Sequence, residues 1–336
     1  MASSTTPASR PAPGATGADG AQSDAWACDI ARVGYRRQPK EWIAGGEKTA
    51  PAPGWSAGPH DGCCRCGGRL QCAPDEGGAV VKIIREPRVY LVGRQQVDSA
   101  VLDQFLNDHA ASWSTDTAIG AEQLCEVAGR VCYMSFGKGR KTNAEYMANI
   151  IGSAHGSVLE HAVWNFVITG VSRSFTHELV RHRAGFGYSQ LSQRYVDETT
   201  ADFIEPDCIA ADDELHQVWL AAIEQSHAAY CRLVEGLQRK FAAEPDPTLR
   251  RKLARQAARS VLPNATETKI FVTANGRALR HFIEARAHEH AEVEIRRVAL
   301  RILRLMQREA PSLFGDYEIV TLPDGTEVAQ TEHRKV

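Results

Sequence analysis

From about residue 80 onward the apolar positions fall into two repeating patterns. The run VVKIIREPRVYLVGR, residues 80–94, is dense in β-branched and aromatic side chains and predicts strand. Directly after it, Val97, Val101, Leu102, Phe105 and Leu106 recur at helical spacing behind Asp98 and Ser99, so a strand-to-helix unit opens the domain. Leu124, Val127, Ala128 and Val131 mark a second amphipathic helix. TNAEYMANIIGSA marks a third, with Thr142 or Asn143 as N-cap and Glu145 in its first turn. VWNFVITGV, residues 163–171, predicts a buried strand, and RSFTHELVRHR, residues 173–183, a helix.

The second half repeats these patterns. Val218, Trp219, Ile223, Tyr230, Leu233, Val234, Leu237 and Phe241 form the stripe of a long helix. LRRKLARQAARSVL predicts a shorter helix that stops at Pro263, and TKIFVTA a strand. Residues 275–308 predict helix throughout, broken once near Ala291, and YEIVTLPDGTEVAQ places Pro-Asp-Gly between two short strands as a hairpin. Residues 1–79 are rich in Ala, Gly, Pro and Ser with little periodicity, which predicts a disordered extension and a packed domain over residues 80–336.

Composition narrows the function classes. Of 336 residues, 39 are Lys or Arg and 41 are Asp or Glu, a formal charge of -2, so no chain-wide basic field exists to hold a nucleic acid and any anion site must be local. The first residues lack a basic start and an apolar core, and no later run has the length of a membrane span, which together predict a cytoplasmic protein without membrane contact. Nine cysteines, an odd number in a chain of this size, predict reduced thiols rather than a disulfide framework. Cys63 and Cys66, near His60, Cys64 and Cys72, have the spacing of half a zinc site, but no second well-spaced pair follows and Cys28 is remote, so loose thiols are favoured over metal. Cys125, Cys132, Cys208 and Cys231 fall on or near apolar helical stretches and are expected to fill core volume.

Candidate chemistry concentrates on arginine and histidine. Arg181, Arg183, Arg194, Arg259, Arg277 and Arg286 lie beside predicted element ends or small-residue turns, where a planar, permanently charged fork suits phosphate or carboxylate capture; singly, each is equally compatible with a solvated surface charge. His155 and His161 flank Glu160, and His288 and His290 flank Glu289. Such clusters can ligate zinc or iron, yet neither has the His-Glu-x-x-His helical spacing, and a hydrogen-bonding role toward a polar cofactor or within the core is favoured over metal.

Four motifs in order carry a family resemblance: SAHGSVLEHA, THELVRHR with SQLSQRYV, ARQAARSVLPNATETK, and TANGRALRHFIEARAHEHAEVEIR. Over about residues 88–328 the chain resembles the flavin-dependent thymidylate synthases (the ThyX family), actinobacterial members above all. The resemblance implies an α/β (α+β) fold with a central mixed β-sheet flanked by long helices, and a homotetramer with active sites between subunits. It also implies bound FAD, a uridine nucleotide substrate, and reductive methylation of dUMP at C5 with methylenetetrahydrofolate as carbon donor and NADPH as reductant. Carried over residue by residue, the FAD contacts are His155, Ser157, Glu160, Arg181, Arg183, Asn275, Arg277, His281 and His290. The nucleotide contacts are Glu178, Gln190, Ser192, Arg194, Arg259 and Arg286, with Ser192, Arg194 and Arg259 toward the phosphate and Arg286, the catalytic candidate, facing the pyrimidine. The four cysteines outside the tail receive no catalytic role.

One departure stands out. The family places seven residues between Arg-His-Arg and its serine, whereas residues 184–191 are eight. Gly185 and Gly187 make room for the extra residue within 184–188, and a loop of altered shape there would bear on ribose preference. Two alternatives follow: a UMP/dUMP C5-methylase of nucleoside antibiotic biosynthesis and, from another class, a zinc- or nucleic-acid-binding regulator built on the Cys63 to Cys72 cluster.

Overall fold

The computed structural model describes residues 81–336. The expected tail, its boundary and the Cys63 and Cys66 pair lie outside the described residues. The chain runs β1 (Ile83–Ile84), β2 (Arg88–Arg94), α1 (Ser99–Asp108), α2 (Gly120–Val131), α3 (Asn143–Gly152), a 3-10 turn (Gly156–His161), β3 (Val163–Ser172) and α4 (Arg173–Leu179). It continues through β4 (Phe186–Gln190), a 3-10 turn (Glu198–Thr200), β5 (Phe203–Ile204), α5 (Asp207–Ala210), α6 (Asp213–Lys240) and α7 (Pro247–Ala258). A 3-10 turn (Arg259–Val261), β6 (Glu267–Asn275), α8 (Gly276–Arg286), α9 (Val293–Glu309), α10 (Pro311–Phe314), β7 (Glu318–Thr321) and β8 (Glu327–Gln330) complete it.

The helices begin where short polar side chains can satisfy orphan backbone donors. Asp98, Thr142, Ser172, Asp212, Asp246 and Asn275 each accept a backbone N–H of the helix that follows. Of the two cap candidates for α3, Thr142 does the work, its Oγ1 accepting from Glu145 N at 3.2 Å.

The central sheet has the order β2-β3-β6-β4, and all three pairings are antiparallel. The α/β class stands, but the mixed sheet expected for it is corrected. β3 and β4 run in the same sense, as a strand–helix–strand crossover through α4 demands, but β6 is inserted between them and turns both contacts antiparallel. Among the described residues the one parallel pairing, β1 with β5, is a separate two-residue ladder. β7 and β8 form the expected hairpin.

One face of the sheet carries the core. Trp164, Phe166 and Ile168 of β3 and Ile270, Val272 and Ala274 of β6 are buried, alternating with more exposed neighbours as a period of two requires. They pack on Leu279, Phe282 and Ile283 of α8, on Ile295, Val298, Ile302, Leu303 and Met306 of α9, and on Phe314. Each of the Leu, Ile, Val, Phe and Met side chains contributes roughly 1.5–3 kcal/mol. The other face leaves Tyr90, Val92 and Phe271 exposed, so the VWNFVITGV strand is buried on one side only.

The long C-terminal helix breaks once, over residues 287–292, a stretch that includes the expected position near Ala291. β8 takes the Ala287 carbonyl through Ala329 N–H at 2.8 Å, and the Glu292 carboxylate caps α9. Arg286 is thereby the last residue of α8. Of the cysteines expected in the core, Cys125 is buried, its thiol pushed up to about 12 chiefly by desolvation, whereas Cys132 and Cys208 are exposed. Short helix ends and the four-residue α5 carry those two to the surface.

Candidate active site

α4 stops at Leu179, and the next residues form tight turns: Arg181 N donates to the Glu178 carbonyl and His182 N to that of Leu179. Phe186 N closes a further turn onto the Arg183 carbonyl, with Gly185 at φ 73. A Cβ at Gly185 would lie 2.6 Å from Asn275 Nδ2 and 2.7 Å from Ala278 Cβ, so backbone angle and space both demand glycine. From Phe186 to Gln190, β4 then pairs with β6 residue for residue, without a bulge. Of the stretch expected to hold the extra residue, Ala184 and Gly185 lie in the turn and Phe186, Gly187 and Tyr188 in β4.

The turn is pinned from β4. The Tyr188 hydroxyl lies 2.6 Å from the His182 carbonyl and 2.9 Å from that of Leu179, sharing one proton between them. Beside this turn, Arg286 donates from Nη1 to Glu178 Oε2 at 2.8 Å and from Nε to His182 Nε2 at 3.0 Å. Desolvation first, then the neighbouring Arg286 and His281, push the His182 imidazole down to about 4. A cavity of about 310 Å³ opens here, lined by Arg181, His182, Arg183, Ala184, Phe186, His281 and Arg286. Among the described residues, the guanidinium groups of Arg181 and Arg183 have no acidic partner.

A second groove of about 230 Å³ shares Ala184 and His281 with the first and adds Glu160, Gly185, Asn275, Arg277 and Ala278. Arg277 is tied to Glu160 at 2.7 Å. Asn275 spends its Oδ1 on capping α8, accepting from Ala278 N at 2.8 Å. Ser157 is exposed on the 3-10 segment that carries Glu160, and His155 is exposed at the residue just before it. Thus Glu160, Arg181, Arg183, Asn275, Arg277 and His281 share one pair of adjoining cavities. His290 lines neither; it stands exposed in the break between α8 and α9, beside His288 and Glu289.

The nucleotide candidates divide. Arg286 lines the first cavity and holds Glu178, which itself lines a separate cavity of about 420 Å³ with Ser172, Ser174 and Glu294, whereas Arg259 lines another, of about 470 Å³, with Arg173, Gln193, Gln256, Ser260, Leu262 and Asn264. Gln190 points its amide nitrogen at Thr176 and Thr268 hydroxyls, 3.0 and 3.3 Å away. Ser192 Oγ accepts from Arg194 N at 3.4 Å. Around the Arg259 cavity, Arg173 Nη1, Gln193 Nε2 and Arg194 Nε are buried with no hydrogen-bond partner among the described residues. Burial lowers the Arg173 pKa, and the nearby Glu198 carboxyl is raised to about 7, again chiefly by burial.

This geometry meets three comparisons. A family model described as thymidylate synthase complementing protein matches residues 115–312. A flavin-dependent thymidylate synthase of Mycobacterium avium is 55% identical over 228 residues, 67% of this chain and 90% of its own. The chain belongs to the flavin-dependent thymidylate synthase family. A Mycolicibacterium gilvum member is 56% identical over 220 residues, covering 65% of this chain and 87% of its own. Among solved structures, a UMP/dUMP methylase from Streptomyces cacaoi bound with 5-Br UMP aligns at TM-score 0.50 and 21% identity, over 70% of this chain and 95% of that one. At that identity it speaks for the shared fold alone.

The family match spans the Arg286, Arg277 and Arg259 cavities. Membership supports the enzyme over the regulator; among the described residues no group of three or more His, Cys, Asp or Glu side chains is placed to hold a metal ion, and no helix is long and apolar enough to cross a membrane. Three residues that line these cavities were not singled out in sequence: His182, Arg173 and Gln193. His182 had a visible signal, being the middle of Arg-His-Arg. Arg173 and Gln193 had none, because what marks them is an unsatisfied group at the edge of a cavity.

Proposed function

We propose that the protein transfers a one-carbon unit to C5 of dUMP and reduces it to the methyl group of dTMP, with methylenetetrahydrofolate as donor, FAD as cofactor and NADPH as reductant. The observation that carries this reading is the Arg286 corner, a cation fixed by two acceptors in the lining of a cavity whose other arginines, Arg181 and Arg183, have no acidic partner among the described residues. A carbon nucleophile at C5 requires negative charge to build up on the uracil ring, and a preoriented guanidinium stabilises that charge without a nucleophilic thiol. Arg286 is the group for that task.

The donor set fits FAD. Arg181 and Arg183 suit its pyrophosphate, while Asn275 Nδ2, Arg277 and His281 offer further polar contacts along the adjoining groove. His155, Ser157 and Glu160 would complete that wall. Bound FAD would supply the redox chemistry that passes reducing equivalents from NADPH to the carbon unit. On the nucleotide, Arg259, Arg194 and Ser192 would hold the phosphate, with Gln190 and Glu178 nearer the base.

Because one protomer does not gather Arg259 and Arg286 around a single cavity, the reading includes a homotetramer whose sites form between subunits, as does His290, which needs a neighbour to reach any ligand. The exposed apolar sheet face at Tyr90, Val92 and Phe271 supports such assembly. We place the protein in the cytoplasm, with residues 80–336 as the catalytic domain and the preceding residues as an extension. Turnover of purified protein with FAD, NADPH and methylenetetrahydrofolate on dUMP and on UMP tests the reading. dUMP is expected to be the better substrate, and a clear preference for UMP would replace it with ribonucleotide methylation.

A further inference from the structure

A guanidinium carries five N–H donors and no lone pair. The 3.0 Å contact between Arg286 Nε and His182 Nε2 therefore fixes the direction of the bond: the histidine nitrogen accepts. It follows that His182 is neutral and holds its proton on Nδ1. The ring is locked in this role. It packs edge-on against Phe282 at 5.1 Å and 81°, lies 6.0 Å from Phe186, and its backbone carbonyl is held by the Tyr188 hydroxyl.

Glu178 alone would not orient Arg286. One contact through Nη1 leaves the guanidinium free to pivot about that bond, whereas a second acceptor at Nε fixes its plane. The chemical type of the second acceptor matters as much. Another carboxylate would cancel the positive charge that the chemistry needs; a neutral imidazole holds the group and leaves its charge largely intact. With Nε and Nη1 engaged, Nη2 has no hydrogen-bond partner among the described residues and remains for a ligand in the cavity that Arg286 lines. The charged and titratable groups around the ring are Glu178 from α4, Arg181 and Arg183 from the turn itself, and His281 and Arg286 from α8.

We propose that His182 is a positioning residue of the reaction: as a neutral hydrogen-bond acceptor it sets, with Glu178, the plane of the Arg286 guanidinium so that its free edge meets the uracil ring. This rests on the reading of Arg286 as the cation that faces the pyrimidine. It gives the middle residue of the Arg-His-Arg motif a task on the nucleotide side, distinct from the flanking arginines.

The test uses the FAD-loaded enzyme. His182→Phe keeps a ring against Phe282 but removes the acceptor; kcat is expected to fall about 10- to 100-fold, since small misplacement of a reacting group costs on that scale, with flavin absorbance and dUMP affinity unchanged. His182→Gln, whose amide oxygen can accept from Nε, is expected to recover most of the loss. Full activity in His182→Phe overturns the proposal, and so does a His182→Gln variant as impaired as His182→Phe. Should His182→Phe lose flavin or fail to fold, 15N NMR of the wild-type holoenzyme decides: a His182 ring protonated on Nδ1 alone supports the role, and a proton on Nε2 overturns it. Arg286→Ala separates the two readings. If it too turns over, the assignment of Arg286 falls and takes this proposal with it; if it is inactive while His182→Phe is not, only the role of His182 falls.

Discussion

Arg286 and Arg259 are the same side chain in opposite circumstances. Arg286 has an acceptor at Nε and another at Nη1, both supplied by the protein. Among the described residues, Arg259 lines a cavity with a second arginine, Arg173, and no carboxylate, and buried donors around it lack partners. A cation already held in place can stabilise charge that develops in a transition state without reorganising, and so acts on kcat. A cation without an acceptor is completed by what binds, and so acts on affinity. The contrast predicts two kinds of kinetic defect from one kind of mutation.

The largest effect falls at the first site. Arg286→Ala is expected to lower kcat by about 10²–10³-fold, the loss typical of one preorganised donor, while flavin absorbance survives. Steady-state turnover with dUMP checks it, and an unchanged kcat would falsify the catalytic role of Arg286. At the second site, Arg259→Ala is expected to weaken dUMP binding by about 10- to 100-fold, the worth of one charge-assisted hydrogen bond, with kcat at saturation within a few-fold of wild type. Calorimetric titration of dUMP reads this directly. Equal losses in kcat and affinity at both sites would erase the distinction.

A smaller effect tests the turn that joins the regions. Gly185→Ala places a Cβ at φ 73, against Asn275 and Ala278. A left-handed backbone costs a non-glycine residue about 1–2 kcal/mol, so Tm is expected to drop by a few degrees and flavin occupancy to fall with it. Gly187→Ala is the control, since a Cβ there meets only Thr273 at an ordinary 3.7 Å. Equal Tm values for the two variants would show that the turn is not what holds the motif.

How much of this was legible in the sequence follows from where the signals lie. α2, α3, α6 and α9 announce themselves because their apolar faces repeat along the chain and their caps are local. β4 does not: Gly187 and Ser189 dilute its pattern, and it becomes a strand because β6 offers a free edge, a tertiary fact. The insertion of β6 between β3 and β4 is equally invisible in the pattern; the mixed sheet came from the family resemblance, and the pairings in space are antiparallel. The site divides in the same way. Glu160, Arg181, Arg183, Arg277 and His281 are recoverable from motifs, and the structure brings them to adjoining cavities. The unsatisfied state of Arg173 and Gln193 depends on what fails to come near them, and no spacing encodes that.

The smallest prediction sets the two regions against each other in pH. Glu198, beside Arg173, has a folded carboxyl raised from the ordinary 4.5 to about 7, chiefly by burial. Between those values the folded chain keeps a proton that the unfolded chain releases, so this group makes stability fall as pH rises through the window. His182 has the opposite sign. Its folded pKa lies near about 4 against an ordinary 6.5, so the unfolded chain gains the proton first and stability falls as pH drops from 6.5 toward 4. Glu198→Gln removes the carboxyl while keeping a neutral side chain of similar shape. Its Tm is expected to exceed that of wild type above pH 7, where wild type carries a buried, incompletely paired charge, and to converge with it below the ordinary carboxyl range. Thermal scans from pH 4 to pH 8 read both limbs, and a Tm difference that stays constant with pH would show that Glu198 is not charged at the expense of the fold.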